Sequence, residues 1–192
     1  MSGKFKTLIC LVFALTACTG TDGSLYAQHA EFTLTTVGQF EEPWALEFLP
    51  DGRLLISEAA GALKLLNSDA TVGEITGVPK VSHGGQGGFG DVVLHPDFRE
   101  NNLVYVSYVE PGDGRTRGAV VARAQLRLTE DGGELTDLEV IWRQVPKVSG
   151  QGHFGHRIAF GPRGYLWISS GERKKFDPSQ DMESNQVSGL NR

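Results

Sequence analysis

From Phe32 onward the chain is written in short apolar runs with turn residues between them. Phe32–Leu34 alternates, and Ala45, Glu47 and Leu49 alternate against Leu46 and Phe48. Leu54-Leu55-Ile56 and Leu63-Lys64-Leu65-Leu66 follow. Further along come Val92-Val93-Leu94, Leu103 to Tyr108, Val120 to Leu128, Val140-Ile141-Trp142, Ile158-Ala159-Phe160 and Tyr165 to Ser169. Each run has strand length, and Gly, Pro, Asp or Asn usually follows it. No window of about 11 residues or more carries a helical period. Only the region after Phe176 offers a place for a helix to start. The pattern predicts an all-β protein.

An internal repeat decides which all-β architecture. Leu46-Glu-Phe-Leu-Pro50-Asp-Gly52-Arg-Leu54-Leu-Ile56-Ser57 has a near copy at Ile158-Ala-Phe-Gly-Pro162-Arg-Gly164-Tyr-Leu166-Trp-Ile168-Ser169. A looser copy, with a longer turn over 99–102, runs from Val92 through Pro96-Asp97-Phe98 to Leu103 and Ser107. Each copy reads as a hairpin of strand, Pro-containing turn and strand, with Gly supplying the turn conformation. A hairpin alone leaves its faces open, and stacking like units around an axis covers them. Pro50 and Pro96 are 46 positions apart, one propeller blade, and Pro96 and Pro162 are 66 apart, a blade with a longer loop. Propellers close with about 4 to 8 blades. The expectation is therefore the N-terminal part, about three blades, of a β-propeller. A β-sandwich would give no reason for the same turn to recur.

Composition refines this picture. Glycine, at 25 of 192 residues, is well above the usual share of about 7% and sits in the turns. The net charge of -5 and scattered basic residues argue against nucleic acid as a partner. Arg173-Lys174-Lys175 reads as a solvated loop run.

The first residues predict export. Lys4 and Lys6 form a positive start, and Leu8 to Ala17 is an apolar core too short to span a membrane. Leu15-Thr16-Ala17-Cys18 resembles a bacterial lipobox, with Cys18 as the lipidated N-terminus of the mature protein. Cleavage after Ala27 is the alternative. The expected organisation is a signal peptide over 1–18, a flexible tether over 19–31, and a partial propeller over 32–192. The expected location is the periplasm, held to the membrane through a lipid anchor. Both cysteines, Cys10 and Cys18, fall in the leader, so the mature domain has no disulfide to lean on.

Two glycine-rich segments precede strands at equivalent places in their repeats: His83 to Asp91 and Ser149 to Arg157. In a propeller such loops gather at one end of the channel, and their glycines let backbone approach a flat ligand. The first is not a P-loop, since it lacks the Gly-Lys-Ser/Thr ending. His153 and His156, three apart in an extended segment, point to opposite sides, which argues against a paired metal site. Asp181 and Glu183 read as solvated acids. Glu172 faces the channel mouth or pairs with Arg173.

Gly85-Gln86-Gly87-Gly88 with Asp91-Val92-Val93-Leu94-His95-Pro96-Asp97-Phe98, Gly152-His153-Phe154-Gly155 with Arg157-Ile158, Pro43-Trp44-Ala45-Leu46 and Gly171-Glu172 together resemble the soluble PQQ-dependent aldose sugar (glucose/sorbosone-type) dehydrogenases. The resemblance runs from about Gly38 to Asp181. It implies a six-bladed propeller that holds pyrroloquinoline quinone (PQQ), with calcium beside it, and oxidises the C1 hydroxyl of an aldose sugar to a lactone, passing electrons to an acceptor. It implies that His153 is the catalytic base and a cofactor contact, and that Gln86 hydrogen-bonds the quinone. An imidazole with its ordinary pKa of about 6.5 suits the role of base at neutral pH. No metal ligand can be assigned, because the family's calcium-binding groups and its cofactor-binding Arg lie downstream. The 192 residues by themselves are therefore expected to be inactive. His156 stands where the family often has Gly, and a ring there is expected to narrow access to the cofactor face. Two alternatives remain: a non-catalytic propeller that binds a glycan or protein, and a metal-dependent lactonase using Glu172 and Glu58.

Overall fold

The computed structural model describes residues 32–175 and 188–190. Cys18, the leader, the 19–31 tether, Asp181, Glu183 and the region proposed for a helix start after Phe176 lie outside them. Residues 1–35 and 36–192 form two units. In the first, Phe32 to Thr35 carry no regular structure, and Phe32 and Leu34 are exposed, so the predicted strand there is absent.

The second unit is almost all β. One antiparallel meander runs β1 (Pro43–Phe48), β2 (Leu54–Glu58), β3 (Ala62–Leu66) and β4 (Val72–Thr76). A second runs β5 (Phe89–Leu94), β6 (Leu103–Pro111), β7 (Thr116–Leu128) and β8 (Gly133–Arg143). The short β9 (Val148–Ser149) adds to β7. A third comprises β10 (Gly155–Phe160), β11 (Leu166–Ser170) and β12 (Ser188–Leu190). The first two meet at their outer edges, where β4 and β8 pair in parallel through Ile75 with Gly133 and Thr76 with Glu134. Three such meanders are propeller blades, as the repeat predicts.

The repeat has one hydrogen-bond signature. The residue before each proline donates its N–H across the turn: Leu49 to the Arg53 carbonyl, His95 to that of Leu103, and Gly161 to that of Tyr165, at 2.8–2.9 Å. Each of the same residues then accepts from the residue three along, Gly52, Phe98 or Gly164, at 2.9 Å. In the second copy the longer turn is α1 (Phe98–Asn101), a single helical turn closed by Asn102 in the left-handed region. It is the one helix among the described residues, and periodicity cannot detect an element this short.

The middle blade is buried on both faces. Val104, Val106 and Tyr108 of β6, with Val120, Ala122 and Ala124 of β7, pack on Leu55, Leu63, Leu65 and Ile75 of the first blade. The alternate residues Tyr105 and Val121 pack on Ile158, Leu166 and Ile168 of the third. This explains why β6 and β7 read as continuous apolar runs while β1 and β10 alternate. Each fully buried Leu, Ile or Val in these layers contributes about 1.5–3 kcal/mol. On the outer faces of the stack, Leu46, Phe48 and Trp167 stay exposed.

Buried polar groups join the blades. Ser57 donates to the Gly90 carbonyl at 2.6 Å. Asp91 accepts from the Ile158 N–H at 2.8 Å, beside Arg157 at 3.3 Å. Burial raises the Asp91 carboxyl above its ordinary range.

Candidate active site

The site stands at the end of the stack opposite the proline turns. It is built from the loop entering β5, the loop entering β10, and the loop leaving β11. Gln86 and His153, in the first two, meet directly. The His153 N–H donates to Gln86 Oε1 at 2.8 Å, and the Gln86 N–H donates to the Gln151 carbonyl at 2.7 Å. Gln86 Oε1 is thus engaged by the protein.

His153 has φ 51, the left-handed region that a non-glycine residue seldom occupies. Its side chain is 41% exposed, and Nδ1 is bonded to Glu172 Oε1. Nε2 makes no hydrogen bond among the described residues. The His153 bond, followed by burial acting the other way and by the Lys174 N–H at 3.1 Å, leaves the Glu172 carboxyl below its ordinary range. A carboxylate on Nδ1 selects the tautomer with Nε2 free to accept a proton. Glu172 therefore pairs with His153 and not with Arg173.

His156 is placed differently from the expectation. Its ring is 1% exposed, so it does not stand in front of the site. Nδ1 meets Ser107 Oγ at 2.9 Å, the ring stacks on Trp44 with centroids 5.2 Å apart, and Phe154 meets it edge-on at 6.4 Å. Burial lowers its pKa to about 4. The ring is a neutral packing piece between blades. Glu58, weighed for a lactonase, is buried and accepts the Glu41 N–H at 2.8 Å. The partner of Glu172 is His153, and Glu58 and Glu172 belong to no group of three or more His, Cys, Asp or Glu among the described residues.

Arg173 corrects the solvated reading of the basic run. Its side chain is 1% exposed, while Lys174 and Lys175 are exposed. Several loop glycines also serve a different purpose from the one expected. A Cβ on Gly85 would lie 2.5 Å from the Gln151 carbonyl oxygen, and one on Gly88 would lie 2.1 Å from that of Ala59. They let loops pack on each other.

The residues present fit an anionic ligand. Arg117 Nη1 is buried with no hydrogen-bond partner, a cationic donor left over beside the Gly84 backbone. A Cβ on Gly152 would meet both Gln86 Oε1 at 3.1 Å and Lys174 Nζ at 3.6 Å, so Lys174 overhangs the Gln86–His153 contact. Arg117, Lys174 and the free Nε2 of His153 suit a carboxylated quinone. No group of three or more His, Cys, Asp or Glu gathers among the described residues, and none of them is assigned to calcium.

The model of the Glucose / Sorbosone dehydrogenase family matches residues 40–189. The chain belongs to this family. Among glucose/sorbosone dehydrogenases it is similar to the aldose sugar dehydrogenase YliI of Escherichia coli (strain K12), 37% identical over 181 residues, covering 93% of this chain and 46% of that one. The solved soluble aldose sugar dehydrogenase of Escherichia coli, in its apo-form, superposes with TM-score 0.72 at 37% identity, covering 79% of this chain and 44% of that one. The PQQ-bound aldose sugar dehydrogenase of Streptomyces coelicolor superposes with TM-score 0.71 at 27% identity, covering 82% and 47%. The chain spans about half the length of these relatives. The propeller expected from the repeat is the architecture of these family members.

Proposed function

We propose that this chain supplies the base side of the active site in a PQQ-dependent aldose dehydrogenase, which oxidises the C1 hydroxyl of an aldose to the lactone. The observation that carries the reading is His153, exposed at Nε2 and tied at Nδ1 to Glu172. PQQ, when bound, supplies the hydride acceptor. His153 Nε2 takes the hydroxyl proton from the sugar, and the Glu172 carboxylate holds the ring in the required tautomer and stabilises the imidazolium that forms. Gln86 positions His153 by accepting its main-chain N–H. Arg117 and Lys174 face the negative charge of the ligand.

Calcium, the electron acceptor, export to the periplasm and lipid anchoring through Cys18 belong to the same proposal. The support for the last two is the Lys-rich start, short apolar core and lipobox-like Leu15–Cys18. A bulky residue in front of the site would favour a non-catalytic propeller, and the His156 ring is instead buried. Aldose-dependent dye reduction that requires added PQQ and is lost in His153→Ala tests the reading.

A further inference from the structure

Three non-glycine residues at this site hold left-handed backbone: His153 at φ 51, Arg173 at φ 61 and Lys174 at φ 54. Such conformations persist only where the surroundings over-determine them. Arg173 is where the surroundings converge. Its Nε donates to the Gly152 carbonyl at 3.0 Å and its Nη2 to that of Gly150 at 3.0 Å. Nη1 donates to the Arg117 carbonyl on β7 at 2.7 Å and to Gln144 Oε1 at 3.2 Å. The Arg173 main-chain N–H donates to the His153 carbonyl at 3.2 Å. The guanidinium lies 3.6 Å from the centre of the Phe154 ring.

These contacts bracket His153. Arg173 holds the residue before it through Gly152, the residue itself through its carbonyl, and the residue after it through the Phe154 ring. Gln144 extends the frame to the other half of the dyad, donating to Ser170 Oγ at 3.0 Å and to the Gly171 carbonyl at 3.1 Å, just ahead of Glu172. The guanidinium's acceptors are neutral oxygens, three main-chain carbonyls and Gln144 Oε1, so it acts as a rigid fork and not as half of an ion pair. A lysine, with one flexible ammonium, cannot reach the same carbonyls in the same plane.

We propose that Arg173 is the positioning residue of this site, fixing the left-handed His153 backbone so that Nδ1 meets Glu172 and Nε2 stays free. The inference rests on His153 being the base, but it is tested without quinone or sugar. The 192-residue chain, labelled with ¹⁵N, gives the tautomer of His153 from long-range imidazole correlations at pH 8. The wild type is expected to show the Nδ1–H form alone. Arg173→Met, which keeps an unbranched apolar stem, is expected to lose this signature for a mixture of tautomers, and the Glu172 carboxyl to rise toward its ordinary range. Arg173→Lys is expected not to restore either signal. Phe154→Leu, a packing control in the same cluster, lowers thermal stability and is expected to keep the Nδ1–H form. Should Arg173→Met not fold, Arg173→Lys, which keeps the charge, is read in its place. A single Nδ1–H tautomer in a folded Arg173 variant would overturn the inference. Tautomer loss on substituting Arg173, alongside a His153→Ala enzyme with full turnover, would keep Arg173 as the positioning residue and remove the proposed base.

Discussion

The N–H of His153 donates to the side-chain oxygen of Gln86 at 2.8 Å, joining loops whose residues are 67 apart in sequence. The bond makes the two glycine-rich entrances to β5 and β10 one platform. Gln86→Leu removes the acceptor. Because the contact is solvent-accessible, water replaces part of it, and the expected loss of stability is at most about 1 kcal/mol. Urea unfolding measures that. The His153 amide is expected to exchange faster with solvent in the variant, and an unchanged rate would count against the link.

Glu172 should matter more for turnover than for folding. In the proposed mechanism its carboxylate orients His153 and stabilises the imidazolium, so Glu172→Gln is expected to lower kcat on the order of 100-fold or more with little change in thermal midpoint. The pH profile of kcat separates this from a packing defect.

The buried ring of His156 predicts how stability follows pH. Its folded pKa of about 4 lies below the ordinary 6.5. Between those values the unfolded chain binds a proton that the folded chain refuses. The stabilising contribution is therefore complete above about pH 6.5 and is lost as pH falls toward 4, by on the order of 3 kcal/mol. Asp91, raised by burial, acts in the opposite sense. The comparison is the difference between wild type and His156→Asn in urea unfolding at pH 7 and pH 4.5. Asn tolerates the φ of 56. The gap between the two proteins is expected to shrink at low pH.

His156 and Gly90 should be coupled. A Cβ on Gly90 would lie 2.1 Å from His156 Cε1 and 2.8 Å from Ser107 Oγ. Gly90→Ala is expected to cost about 1–3 kcal/mol through overpacking. In a His156→Gly background the ring clash is gone and the Ser107 Oγ contact remains, so part of that cost should vanish. A double-mutant cycle is expected to give a coupling of about 1 kcal/mol or more.

The blades were legible because the sequence repeats them. The Pro50, Pro96 and Pro162 turns share their hydrogen bonds as they share their residues, and local chemistry is enough to mark them. Gln86 and His153 were named through motif resemblance, and the structure brings them into contact. The links that make them a site were not legible. Glu172 reaches His153, and Arg173 turns inward, because three loops far apart in sequence meet only after the blades stack. A basic run looks solvated until the carbonyls that satisfy it are in place. The same holds for His156, whose partners Trp44 and Ser107 come from two other blades. Strand β4 and most of β8 were missed because their edge positions carry little apolar alternation.

His153 is proposed as the base of a quinone-dependent sugar oxidation. The direct measurement is dye reduction by a chimera in which this chain replaces the corresponding segment of the Escherichia coli aldose sugar dehydrogenase, with PQQ added and an aldose as substrate. Turnover is expected to depend on PQQ and to fall roughly 100-fold or more in His153→Ala, with PQQ binding retained. Turnover in His153→Ala equal to that of the parent chimera would contradict it.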